Sequence, residues 1–114
     1  MVKESGGSKL NKKKIGVLCH ITSLPSKYGI GDLGEECFKF VDFLKSNNFN
    51  VWEILPLNKI NDCNCPYGTI SAFAFEELLL DLQPFVDNGV LSKSEVLPLT
   101  KLNKENVDYA SVRA

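Results

Sequence analysis

HITSLPSKYGIGDLG, from His20 to Gly34, lies between a short apolar run, Ile15 to Cys19, and a helical pattern that opens at Glu35. A loop this rich in Gly, Pro, Ser and Thr, placed after a strand and before a helix, is where α/β enzymes put their binding groups. The apolar run predicts a parallel strand buried on both faces. Asp32 is the expected N-cap of the helix, with Glu35 three residues on as in a capping box. Cys37, Phe38, Phe40, Val41, Phe43 and Leu44 fall at helical spacing and predict a wide buried stripe from Glu35 to Asn47. Glu35 and Glu36 at the start and Lys45 near the end suit the helix dipole, and Asn47 and Asn48 can end the helix. Val51 to Leu57 reads as a second strand stopped by Pro56, with Val51 to Leu55 as its paired part. Strand, helix and strand make a βαβ unit, which crosses over right-handedly and lays its strands parallel.

Beyond Leu57 the local signals thin out. Asn58 to Gly68 is a polar loop, and Phe73 to Leu82 fits helix and strand equally by periodicity. Pro84 to Asn88 predicts a short helix with Gly89 at C′. Ser92-Lys93-Ser94-Glu95 predicts a second capping box. Val107 to Ala114 reads as the opening of a further helix.

Two later blocks, WEILPL (Trp52 to Leu57) and CPYGTISAFA (Cys65 to Ala74), follow the first in a characteristic order. Together the three resemble the start of the 4-α-glucanotransferases, the amylomaltases or disproportionating enzymes, over Ile15 to Arg113. The resemblance implies a (β/α)8 barrel. It also favours a strand near Leu78 to Leu82. A bare barrel takes about 250 residues, and this chain has 114. The expectation is therefore an α/β fold that is the N-terminal part of a TIM barrel, incomplete: a disordered polar tail over residues 1–14, then a truncated N-terminal portion of the catalytic barrel over residues 15–114.

Composition sets outer limits. Hydrophobic residues make up 44% and charged residues 24% of the chain, as in ordinary globular domains. A net charge of −1 gives no electrostatic footprint for nucleic acid or a membrane surface. Lys12, Lys13 and Lys14 read as part of a solvated tail. No signal-peptide core precedes Ile15 and no run reaches the ~18 apolar residues of a membrane span, so a cytoplasmic location is expected. A reducing cytoplasm leaves the four cysteines as thiols. Cys19 and Cys37 read as core residues. Cys63-Asn64-Cys65 lacks a second pair or a nearby histidine, and no metal or cofactor is expected.

In a barrel the active face lies at the C-terminal ends of the strands. His20, Thr22 and Ser23 follow the first strand, and Pro56 to Tyr67 the second. A glucan offers hydroxyls and a flat ring face, which take hydrogen-bonding side chains beside aromatic platforms. The residues expected to bind substrate, an α-1,4-glucan such as a maltodextrin, are Tyr67, Asn64, Cys65, His20 and Ser23. Tyr67 is the tyrosine of the family's Ser-Pro-Tyr block. His20 also reads as a histidine that positions its loop, Tyr28 as a ring covering a turn, and Trp52 as core. The family commonly has Gly-Asp-Ser where this chain has Cys63, Asn64 and Cys65, Gln where it has Glu53, and Gly-Asn-Pro where it has Phe75, Glu76 and Glu77.

The implied reaction transfers α-1,4-glucan segments between maltodextrins with release of glucose, by a retaining double displacement at two carboxyl groups. None of Asp32, Glu53, Asp62 or Asp81 matches a catalytic position, so no catalytic residue is expected here and the fragment alone is expected to be inactive. Two other readings stay open: a barrel that hydrolyses instead of transferring, and a non-enzymatic α/β module whose Asn58 to Gly68 loop binds a metal or a partner.

Overall fold

The structure, a computed structural model, describes residues 13–114. Of the polar tail, residues 1–12 lie outside the described part. The expected βαβ unit is present. Strand β1 (Gly16–Leu18) and strand β2 (Val51–Glu53) pair in parallel, Gly16 opposite Val51 and Leu18 opposite Glu53. The Cys19 N–H donates to the Glu53 carbonyl at 3.0 Å and carries the ladder one residue further. Helix α1 (Glu35–Ser46) makes the crossover.

Three expectations for this unit are corrected. Asp32 does not cap α1. The N-cap is Gly34, without a side-chain cap bond. Asp32 bends the chain just before it, its Oδ1 accepting from the Gly34 N–H at 2.9 Å. Glu35 pairs with Lys39 one turn on, and no capping box forms. Nor is β1 buried on both faces. Ile15 is 59% and Leu18 61% exposed, because a strand is buried only when elements cover each side. Here one face is half-covered: Val17 and Trp52 stand opposite each other, and Phe40 of α1 sets its ring edge against Trp52 at 5.1 Å. The predicted stripe on α1 is likewise mostly open. Cys37 and Leu44 are buried, while Phe38, Val41 and Phe43 are exposed.

The end of α1 follows from its sequence. Asn48 takes the left-handed conformation at φ 62°, which Asn tolerates better than most side chains. The Phe49 N–H then reaches back to the Leu44 carbonyl and the Asn48 N–H to that of Lys45, the paired bonds of a Schellman end.

The strand favoured near Leu78 to Leu82 is absent. Glu77–Leu79 form one 3-10 turn instead. An apolar run becomes a strand only beside a partner edge, and here Leu79 is inserted as a core plug with under 2% of its surface exposed. Short helices follow: α2 (Gln83–Asp87), ended by Gly89 at φ 73°; α3 (Lys93–Val96), with the full Ser92–Glu95 capping box; and α4 (Tyr109–Arg113), capped by Asp108.

The core sits under the loop after β1. Ile21, Leu24, Tyr28, Ile30, Ile60 and Leu79 are buried there. Gly31 shows how closely the loop is folded: a Cβ on it would stand 2.0 Å from the Ile21 carbonyl oxygen. Tyr28 is buried next to Gly29 (φ 84°), and its hydroxyl donates to the Gln83 Oε1 at 2.9 Å.

Candidate functional site

The loops that leave β1 and β2 are tied together at their roots. The Trp52 Nε1–H donates to the Cys19 carbonyl at 2.7 Å. The His20 Nδ1 accepts from the Leu55 N–H at 3.3 Å. An Nδ1 that accepts a backbone N–H carries no proton. Burial pulls the His20 pKa below its ordinary value, which also favours the neutral ring. His20 thus fixes where the second loop starts, as a buried strand-end histidine with its Nδ1 occupied.

The second loop is built in layers. Asn58 bridges Phe75 and Ile60 bridges Thr69, both antiparallel, so the chain runs out and returns beside itself. Glu76 holds this base. Its side chain is only 5% exposed, and its Oε2 accepts from the Ile60 N–H at 2.9 Å. Lys59 and Arg113 each bring a cationic nitrogen to 3.7 Å of its other oxygen. A buried carboxylate needs such partners. Lys59 and Arg113 also pair with the neighbouring Glu77. Sequence reading treated Glu76 only as a departure from a motif. The signal that could have marked it is an acid inside the apolar run from Ala72 to Leu80, since a charge enters such a run either on the surface or paired.

At the tip, two tight turns follow one another. The Asn64 N–H bonds the Asn61 carbonyl, and the Gly68 N–H bonds that of Cys65. Asn61 caps the first turn, its Oδ1 accepting from the Cys63 N–H at 3.0 Å. Asn64 is left-handed at φ 54°. Tyr67 projects from the second turn, 71% exposed.

The structure therefore gathers Asn64, Cys65 and Tyr67 on one loop tip. His20 lies at that loop's base, where it lines a narrow cavity with Pro56, Asn58, Pro66 and Glu76. Ser23 is separate. It is exposed and lines a shallow cleft with Thr22, Gly29 and Asn103. Asp32 is buried in the first loop and accepts from the Ser26 hydroxyl at 3.0 Å. Burial pushes its carboxyl above the ordinary range, the hydrogen bonds from Gly34 and Ser26 oppose that, and the nearby Asp81 charge adds to it. Among the described residues, no group of three or more His, Cys, Asp or Glu side chains is placed to hold a metal ion. Among the same residues no helix is long and apolar enough to cross a membrane.

The arrangement is a pair of strand-end loops with an exposed aromatic ring, an amide and thiols at one tip. The model of the family described as 4-alpha-glucanotransferase matches residues 19–114. The chain belongs to that family. It is similar to the 4-alpha-glucanotransferase of Aquifex aeolicus, 43% identical over 82 residues that make up 70% of this chain and 17% of the relative. It is 41% identical to that of Synechocystis over 100 residues, 88% of this chain and 20% of the relative. Its structure matches an amylomaltase from Streptococcus agalactiae, in complex with acarbose, at a TM-score of 0.77 and 37% identity, covering 88% of this chain and 21% of the other. The chain thus spans about a fifth of the length of these 4-alpha-glucanotransferase relatives.

Proposed function

We propose that this chain is the N-terminal portion of a (β/α)8 barrel, over residues 15–114, and that it supplies two strand-end loops of a 4-alpha-glucanotransferase site. The reaction it serves moves α-1,4-glucan segments between maltodextrins and releases glucose, through a glycosyl-enzyme formed and resolved with retention. The carboxylates for that chemistry are not assigned to this chain. Its own part is to bind and orient sugar. Tyr67 offers a ring face to a glucose unit, while the Asn64 amide and the Cys65 thiol stand beside it as hydrogen-bonding groups. His20 orients the second loop through Leu55 and belongs to the site through that contact. Ser23 contributes from the first loop. We place the protein in the cytoplasm, as expected from the sequence before Ile15.

The observation that carries this reading is the side-by-side anchoring of the two loops at the carboxyl ends of two parallel strands, where enzymes of this architecture keep their sites. It is supported by family membership and by the likeness to an amylomaltase that binds acarbose.

The test uses a chimera in which residues 15–114 replace the matching segment of the Synechocystis enzyme. Tyr67→Ala in that chimera is expected to weaken maltodextrin use by about 1–3 kcal/mol in kcat/KM, the range for a lost contact in a binding site. Unchanged kinetics on every maltodextrin length would remove Tyr67 from the site. The 114-residue chain by itself is expected to release no glucose from maltotriose.

A further inference from the structure

The four thiols are not equivalent. Cys37 is buried, and burial, with the Asp32 charge added, pushes its thiol above the ordinary value. Cys19 is half-buried in the first strand's exit. Cys63 and Cys65 are both exposed and are separated by one residue. That residue is Asn64, in the left-handed region at φ 54°. A left-handed residue has the mirror image of helical geometry, in which Cα atoms two positions apart lie about 5.4 Å from each other. Disulfides span Cα distances of roughly 4.4–6.8 Å, most often near 5.5–6 Å. An extended residue between the cysteines would hold their Cα atoms at about 6.6 Å or more, near or past the upper limit. The bend is held by two backbone bonds, from the Asn64 N–H to the Asn61 carbonyl and from the Gly68 N–H to the Cys65 carbonyl. The Cys63 N–H bond to the Asn61 side chain holds the same turn from its other side.

We infer that Cys63 and Cys65 form a redox-active dithiol that reacts with small-molecule disulfides and closes on itself. Either thiolate can begin. With Cys63 first, its sulfur attacks one sulfur of R–S–S–R. A Cys63–S–S–R bond forms and R–S⁻ leaves, taking up the proton that Cys63 gave to solvent. The Cys65 thiolate then attacks the Cys63 sulfur, forms the Cys63–Cys65 bond and expels the second R–S⁻, which takes the proton from Cys65. Two protein thiols are oxidised and one small disulfide is reduced to two thiols. Closure competes with release of the mixed disulfide because the second thiol lies only one residue further along the same turn, which makes the second attack intramolecular. This inference does not depend on the glucan reading, because it concerns only the chain's own thiols.

The test treats the 114-residue chain with oxidised glutathione and measures intact and peptide mass. The expected product lacks two hydrogens, retains no glutathione and maps the new bond to the peptide holding Cys63 and Cys65. Cys65→Ser is expected to keep one glutathione on Cys63, and Cys63→Ser one on Cys65. Asn64→Val, which disfavours a positive φ, is expected to accumulate mixed disulfide, whereas Asn64→Gly closes as the parent does. Glutathione retained on both thiols of the parent chain, or disulfide-linked dimers as its main product, would overturn the inference. So would closure at the same rate in Asn64→Val.

Discussion

His20 is the residue on which the two loops depend. Removing its ring leaves the Leu55 N–H without an acceptor in a part-buried place, a loss of about 1–3 kcal/mol. His20→Ala is therefore expected to lower the melting temperature of the chimera. The sign of the pH effect follows from the direction of the shift. The folded ring binds its proton less readily than the unfolded one, whose value is 6.5. Below that value the unfolded state takes up a proton that the folded state refuses, so stability falls as the pH drops through it. Melts between about pH 7 and pH 5 are expected to show this loss, reduced in His20→Asn. An identical slope in the variant would detach His20 from it. A positioning role for His20 is legible in the sequence, because a histidine at the end of an apolar strand suggests one. It could not identify the Leu55 partner, which comes from the neighbouring strand. Glu76 was hidden for a similar reason. Its partners, Ile60, Lys59 and Arg113, converge only when the chain has folded back.

At the scale of elements, local signals were reliable where the bonds they describe are local. The capping box at Ser92 and the glycine end of α2 formed as read. Ser92→Ala is expected to cost about 0.5–2 kcal/mol through the first turn of α3, visible as a lower midpoint in urea. Asn48→Val should likewise cost about 1–2 kcal/mol, because the Schellman end of α1 needs a left-handed residue there, while Asn48→Gly keeps the end intact. Equal stability for the Val and Gly variants would contradict the assignment. Asp32 misled because an acid two residues ahead of the N-cap can bond the N-cap backbone as readily as it can cap. The segment from Phe73 to Leu82 misled more. Its apolar residues have no single period, and long-range packing of Leu79 chose a 3-10 turn.

Across the whole molecule, three sequence blocks were enough for the family, because their order and spacing constrain one another. The parallel pairing of β1 and β2 was also legible, since a helix between two strands admits little else. The extent of burial was not. Ile15, Leu18, Val51 and Ile54 leave an apolar sheet region exposed, and such surface promotes association in water. The 114-residue chain alone is expected to elute as oligomers in size-exclusion chromatography, and a monomer with a cooperative melt would contradict that. In the proposed function, this segment serves a 4-alpha-glucanotransferase site at its strand ends. The most direct measurement is glucose release from maltotriose by the chimera carrying residues 15–114 in the Synechocystis enzyme. Turnover with maltodextrins lengthening as glucose appears is the expected result. A chimera that folds with a cooperative melt yet moves no glucosyl units would contradict it.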